Sequence, residues 1–278
     1  MERIQSAIAK ARAERAAAMP VASDPKAETV VDAVVPDEKQ ITDAWAGLLP
    51  LQANRDLLTK NRLVAFNGGP DSVIFDVMRT RLIQQIRANG WRRVAITSPT
   101  PGCGKSTVAL NLAFSLARQR DLRTVLAEVD LRRPALAKLL GIRVAHSFAD
   151  MLAERATMAE AALRHESGLA LIANEGPVRN SAELLQARQV PAVLNAIEAD
   201  YAPDVMLFDM PPVLVSDDTM AFMGQVDAVL IVAAADQTTT REVDLCEREL
   251  ASLTNVMGVV LNKCRFMGPE YGYGYYYG

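Results

Sequence analysis

The stretch VAITSPTPGCGKSTVALNLAFSLARQ, residues 94–119, decides the fold. An apolar run, Val94–Ser98, has strand character, and a helical stretch follows from about residue 104 to 119. The turn between them is built of proline and glycine. At such a turn, main-chain N–H groups and a helix N-terminus converge on one point and favour an anion, above all a phosphate. The general phosphate-loop pattern is GxxxxGK[ST]. Gly104, Lys105 and Ser106 match its end, while Pro99 stands at its first glycine. The nucleotide contacts are therefore expected from Thr100, Pro101, Gly102, Cys103, Gly104, Lys105, Ser106 and Thr107. Lys105 is expected at the β and γ phosphates of ATP and the Ser106 hydroxyl at Mg²⁺, a hard cation that prefers oxygen ligands.

Working outward, β-rich runs alternate with helical ones. TVLAEVD (124–130), LALIA (169–173), DVMLFD (204–209), DAVLIVA (227–233) and VMGVVLN (256–262) read as strands, and residues 240–253 as a helix. Before the loop, Phe75, Met78, Leu82 and Ile86 recur every three or four residues, which predicts a helix over 72–88 closed by Gly90. Apolar strands without polar alternation, separated by helices, indicate an α/β fold: a doubly wound, mostly parallel sheet covered on both faces. Two further strand ends carry acids, Glu128 and Asp130 on one and Asp209 on another. In an open parallel sheet ligands collect at the carboxyl ends of strands, so these acids are expected at the phosphate loop, with Asp130, Asp209 and Ser106 around the metal.

Bulk properties narrow the field. With 30 Lys and Arg against 33 Asp and Glu the net charge is −3, which gives no basic field for nucleic acid. Cys103, Cys246 and Cys264 form no CxxC pair, as in a reducing cytoplasm. The longest apolar run, 229–235, is far short of the roughly 20 residues that span a bilayer. The expected organisation is an N-terminal extension over 1–66, an ATPase domain over 67–265 and a tail over 266–278. Within the extension, residues 1–19 carry a thin helical pattern, 20–40 read as a linker, and 41–66, with Trp45, pack on the main domain. The tail holds five of the six tyrosines, Tyr271, Tyr273, Tyr275, Tyr276 and Tyr277, separated only by glycine. Glycine maximises chain entropy, so such a segment has little tendency to fold alone and is expected to be reachable as a substrate.

Together these motifs resemble the bacterial tyrosine kinases of polysaccharide synthesis, over roughly residues 70–278. That family carries a proline-containing phosphate loop, here PGCGKST; a D-x-D-x-R motif, here E-V-D-L-R over 128–132; a D-x-x-P motif, here D-M-P-P over 209–212; and a C-terminal tyrosine cluster, here YGYGYYYG. NSAELL (180–185) is similar to its NPxELL segment, and Asn262 matches the strand end where related ATPases hold adenine. Glu128 stands where the family has aspartate. The helix motif E-x-x-R-x-x-R is represented by Asp76 and Arg79, with Leu82 at its second arginine. The partitioning and division-site ATPases share the fold, but have a lysine where this chain has Thr100 and lack a tyrosine tail.

The resemblance implies a cytoplasmic, Mg-ATP-dependent tyrosine autokinase that modifies its own tail. Lys105, Glu128, Asp130 and Asp209 would be its catalytic residues, with Glu128 assisting the acceptor phenol. It further implies a homo-oligomer, a separate membrane-bound polysaccharide co-polymerase that activates the kinase and recruits it to the inner face of the membrane, and a cognate tyrosine phosphatase. The runner-up is a nucleotide-hydrolysing interaction switch of the partitioning-ATPase type with little kinase activity.

Overall fold

The computed structural model describes residues 37–265. The helical pattern over 1–19 and the tyrosine tail lie outside them. Eight strands form one sheet: β1 (Leu49–Pro50), β2 (Arg93–Thr97), β3 (Thr124–Glu128), β4 (Leu163–His165), β5 (Leu169–Ile172), β6 (Val205–Asp209), β7 (Ala228–Ala234) and β8 (Asn255–Asn262), in the order β1-β4-β5-β3-β6-β2-β7-β8. Every pairing is parallel except β4 with β5. The expected strands are all present. Two short ones, β1 and β4, carry too few apolar residues to stand out in the sequence.

Both faces of the sheet are buried, as the unbroken apolar runs require. Successive side chains alternate between faces. Val94, Ile96, Leu126, Leu207 and Val232 thus join one core with Leu110 and Phe114 of the helix Lys105–Ala117. Ala95, Val125, Ala127, Phe208 and Ile231 join the other, with Leu194 and Ile197 of the helix Val190–Tyr201. The helix predicted over 72–88 spans Val73–Asn89, and Gly90 closes it in the left-handed conformation (φ 68°) that glycine adopts without strain.

Residues 37–66, placed with the extension in the sequence, belong to the same compact unit as the sheet. A helix, Glu38–Gly47, starts inside the expected linker, with Asp37 and Gln40 forming a reciprocal capping box. It buries Ile41 and Trp45, and the Trp45 indole Nε1 donates to the Tyr201 carbonyl at 2.7 Å. Leu58, Leu63 and Ala65 are buried as well. Polar punctuation hid these anchors, because few apolar residues placed at the right contacts suffice. Asn111, fully buried, joins this segment to the helix Lys105–Ala117: its Oδ1 accepts from Ala65 N, and its Nδ2 donates to the Arg62 and Thr107 carbonyls.

Candidate active site

β6 and β7 flank β2, so the turn after β2 lies over the carboxyl ends of neighbouring parallel strands. Gly102 (φ 84°) and Gly104 (φ 90°) take conformations that other residues rarely adopt. A Cβ on Gly104 would displace the Asn262 side-chain amide, so glycine there also leaves room for that contact. Asn262 Nδ2 donates to the Cys103 carbonyl at 2.9 Å. The end of β8, where the sequence led us to expect an adenine contact, is therefore tied to the main chain of the phosphate loop. Cys103 is buried, its thiol donating to the Thr100 carbonyl at 3.2 Å, and the Thr100 carbonyl also accepts from Ser98 Oγ. Thr107 follows in the first turn of the helix that Lys105 opens.

Three of the four expected catalytic side chains converge. Lys105 Nζ lies 2.8 Å from Asp130 Oδ2 and 3.7 Å from Asp209 Oδ1. Ser106 Oγ is 3.4 Å from Lys105 Nζ. Burial works against the charge of Lys105, but Asp209 and Asp130 outweigh it and raise its pKa. Asp209 is fully buried and, among the described residues, neither carboxylate oxygen accepts a hydrogen bond. Burial pushes its pKa up, with Lys105 opposing. A buried carboxylate that pairs with Lys105 but accepts no hydrogen bond among the described residues is costly, and beside Ser106 and Asp130 it fits a hard cation with its water shell. The residues present thus suit Mg²⁺ and a nucleotide phosphate.

Glu128 is tied to the main chain. Its Oε1 accepts from Ala135 N at 2.5 Å and Leu136 N at 2.8 Å, and its Oε2 from Asn174 N at 2.8 Å. The carboxylate expected to assist the acceptor phenol thus accepts from three main-chain amides. Burial, followed by the nearby charge of Asp209, pushes its pKa up to about 7, although the three amides hold it down. Asn174 was not singled out in the sequence; a polar residue just beyond an apolar strand was the signal available. Asp130 is fixed independently, its N–H donating to the Asp209 carbonyl at 3.0 Å and its Oδ1 accepting from Arg133 N at 3.0 Å.

Asp76 and Arg79 of the helix motif belong to a wider network. Asp76 Oδ1 accepts from Arg79 Nη1 at 3.2 Å, from Ser115 Oγ at 2.6 Å and from Arg118 Nη2, binding two helices together. Leu82 is buried, which explains why no arginine stands there.

A family model named ParA, described as an iron-transfer P-loop NTPase family, matches residues 91–276. The chain belongs to the ParA family of P-loop NTPases. Among the described residues no group of His, Cys, Asp or Glu is placed to hold a metal by itself, and Cys103 and Cys246 are buried. Within the ParA family, the resemblance read from the motifs holds. The chain is 32% identical to the putative tyrosine-protein kinase EpsB of Ralstonia nicotianae over 203 residues, 72% of this chain and 27% of EpsB. It thus spans about a quarter of that relative's length. It is 29% identical to the tyrosine-protein kinase YwqD of Bacillus subtilis over 185 residues, 66% of this chain and 77% of YwqD. The VpsO kinase domain superposes with a TM-score of 0.62 at 27% identity, covering 70% of this chain and 96% of that domain. No described helix is long and apolar enough to cross a membrane.

Proposed function

We propose that this chain is a cytoplasmic, ATP-dependent protein-tyrosine autokinase that phosphorylates its own cluster, Tyr271, Tyr273, Tyr275, Tyr276 and Tyr277, and so regulates exopolysaccharide or capsule synthesis and export. The observation that carries this reading is the convergence at a phosphate loop of Lys105, Asp130 and the buried Asp209 carboxylate, which pairs with Lys105 but accepts no hydrogen bond among the described residues, in a chain that carries a tyrosine cluster. Residues 100–107 would hold the nucleotide, and Ser106, Asp130 and Asp209 the Mg²⁺. Bound Mg²⁺ supplies neutralisation of the charge on the phosphate oxygens. Lys105 would exchange its carboxylate partners for phosphate. A free phenol has a pKa near 10, so its hydroxyl needs a carboxylate to orient it. With Glu128 held by main-chain amides, we assign that role to Asp130 as well, whose Oδ2 would be released when Lys105 turns to phosphate.

The kinase reading includes homo-oligomers, a membrane-bound polysaccharide co-polymerase as activator at the inner face of the membrane, and a tyrosine phosphatase that resets the tail. The second reading, a nucleotide-hydrolysing switch with little phosphotransfer, draws its support from the commitment of Glu128. One experiment separates them: purified wild type and Lys105→Met are incubated with Mg-ATP, with and without the cytoplasmic segment of a candidate activator, and phosphotyrosine is mapped by mass spectrometry. Phosphate on residues 271–277 in wild type alone supports the kinase. Hydrolysis without modification in every arm selects the switch.

A further inference from the structure

Beside the phosphate loop lies a cleft of about 520 Å³ whose lining includes Lys105, Asp130, Arg132, Arg133, Pro211 and Val215. One part of the lining is polar, the Lys105–Asp130 pair; another is apolar, with Val215 58% exposed. Three cations line it, and they are not equivalent. Lys105 is held by Asp130 and Asp209. Arg132 spends its fork on Asp218, whose carboxylate is fully buried, on Asp217 and on Ser181 Oγ. Arg133 is exposed and, among the described residues, its guanidinium has neither a salt bridge nor a hydrogen bond. Its main chain is nevertheless fixed, because its N–H donates to Asp130 Oδ1. The cleft therefore presents one uncommitted guanidinium on a tethered backbone, beside a polar floor and an apolar wall.

We propose that Arg133 reads a phosphate already present on the tail, so that the cleft prefers an unmodified tyrosine that neighbours a phosphotyrosine and the cluster is filled in a directed order. The occupant, a tail segment of this or another copy, rests on the kinase reading above. A phenol ring suits the proline and valine wall. A phosphate suits a guanidinium, which can grip two of its oxygens at once. Successive tail tyrosines are one or two residues apart, about 3.5 to 7 Å of extended chain, so one ring at the floor leaves the next within reach of a long side chain. The competing occupant for Arg133 is a phosphate of the nucleotide itself.

The test is a binding measurement that needs no catalysis. Full-length protein with its five tail tyrosines changed to Phe, loaded with Mg-ADP, is titrated into a labelled peptide of residues 266–278, unmodified or phosphorylated on Tyr275 alone, and anisotropy is followed. The phosphopeptide is expected to bind about tenfold more tightly, as a charge-assisted pair provides. Arg133→Ala is expected to remove this advantage, Arg133→Lys to keep part of it, and both to bind a fluorescent ADP as wild type does. Equal affinity for the two peptides in the Arg133 background overturns the proposal, as does a preference that survives Arg133→Ala. A loss confined to ADP affinity assigns Arg133 to the nucleotide and overturns it too. If the tail is never phosphorylated by the enzyme, the kinase reading fails while the binding result stands by itself.

Discussion

Glu128 and Asp209 are register partners across β3 and β6, both fully buried at the carboxyl ends of their strands, yet they serve opposite ends. Glu128 is saturated with main-chain donors, whereas Asp209 accepts no hydrogen bond among the described residues. The first closes a loop; the second is left for a ligand.

Replacing Glu128 should therefore damage folding more than chemistry. Glu128→Ala strands the amides of Ala135, Leu136 and Asn174, each at about 1–3 kcal/mol, so a loss of at least about 3 kcal/mol is expected. Glu128→Gln keeps one acceptor oxygen and turns a donor toward Asn174 N–H. It should lower Tm by several degrees while tail phosphorylation stays within a few-fold of wild type. Calorimetry alongside a phosphotyrosine assay checks this; abolished transfer at unchanged Tm would restore Glu128 as the acceptor base.

Asp209→Asn removes a buried charge that accepts no hydrogen bond among the described residues and pairs with Lys105 only at 3.7 Å, while Asp130 at 2.8 Å still holds Lys105. The ligand-free protein should keep or gain thermal stability. What it should lose is the stabilisation that Mg-ATP gives, which for a site at 100 times its Kd is about 2.7 kcal/mol. Thermal melts with and without Mg-ATP distinguish this from a general folding defect, which would lower both.

Asp150 makes part of acid stability local. Its carboxylate accepts from Ser147 Oγ at 2.7 Å and Ser147 N at 2.9 Å in a capping box and pairs with Arg155. These contacts, led by the Ser147 hydroxyl, lower its pKa to about 2. The folded pKa is depressed, so its contribution is present above about pH 4 and is lost as pH falls toward 2. Asp150→Asn should flatten stability over that window and leave its slope near pH 7 unchanged, as urea titrations at a series of pH values would show. Ser147→Ala should cost about 1 kcal/mol at neutral pH.

Trp45 pins the segment before β1 to the helix Val190–Tyr201. Trp45→Ala should cost about 3–5 kcal/mol and Trp45→Phe, which loses chiefly the hydrogen bond to the Tyr201 carbonyl, about 1 kcal/mol. A chain beginning at residue 67 lacks Trp45, Leu58, Leu63 and Ala65 and should not fold cooperatively. Chemical denaturation monitored by circular dichroism tests both.

The sequence by itself determined the α/β class, the phosphate loop and the strand ends that carry Asp130 and Asp209, because these are local. An apolar run fixes a strand, glycine permits a positive φ, and the end of a parallel strand is the same place in every copy of the fold. Tertiary structure decided the rest. Whether Glu128 faces a substrate or the amides of 135, 136 and 174 depends on where separate loops meet, and no spacing encodes that. The same holds for Trp45, whose partner is 156 residues away, and for Arg132 and Arg133, adjacent and chemically identical. Only packing shows that acids 85 and 86 residues further along occupy Arg132, while Arg133 beside it is left without a partner among the described residues.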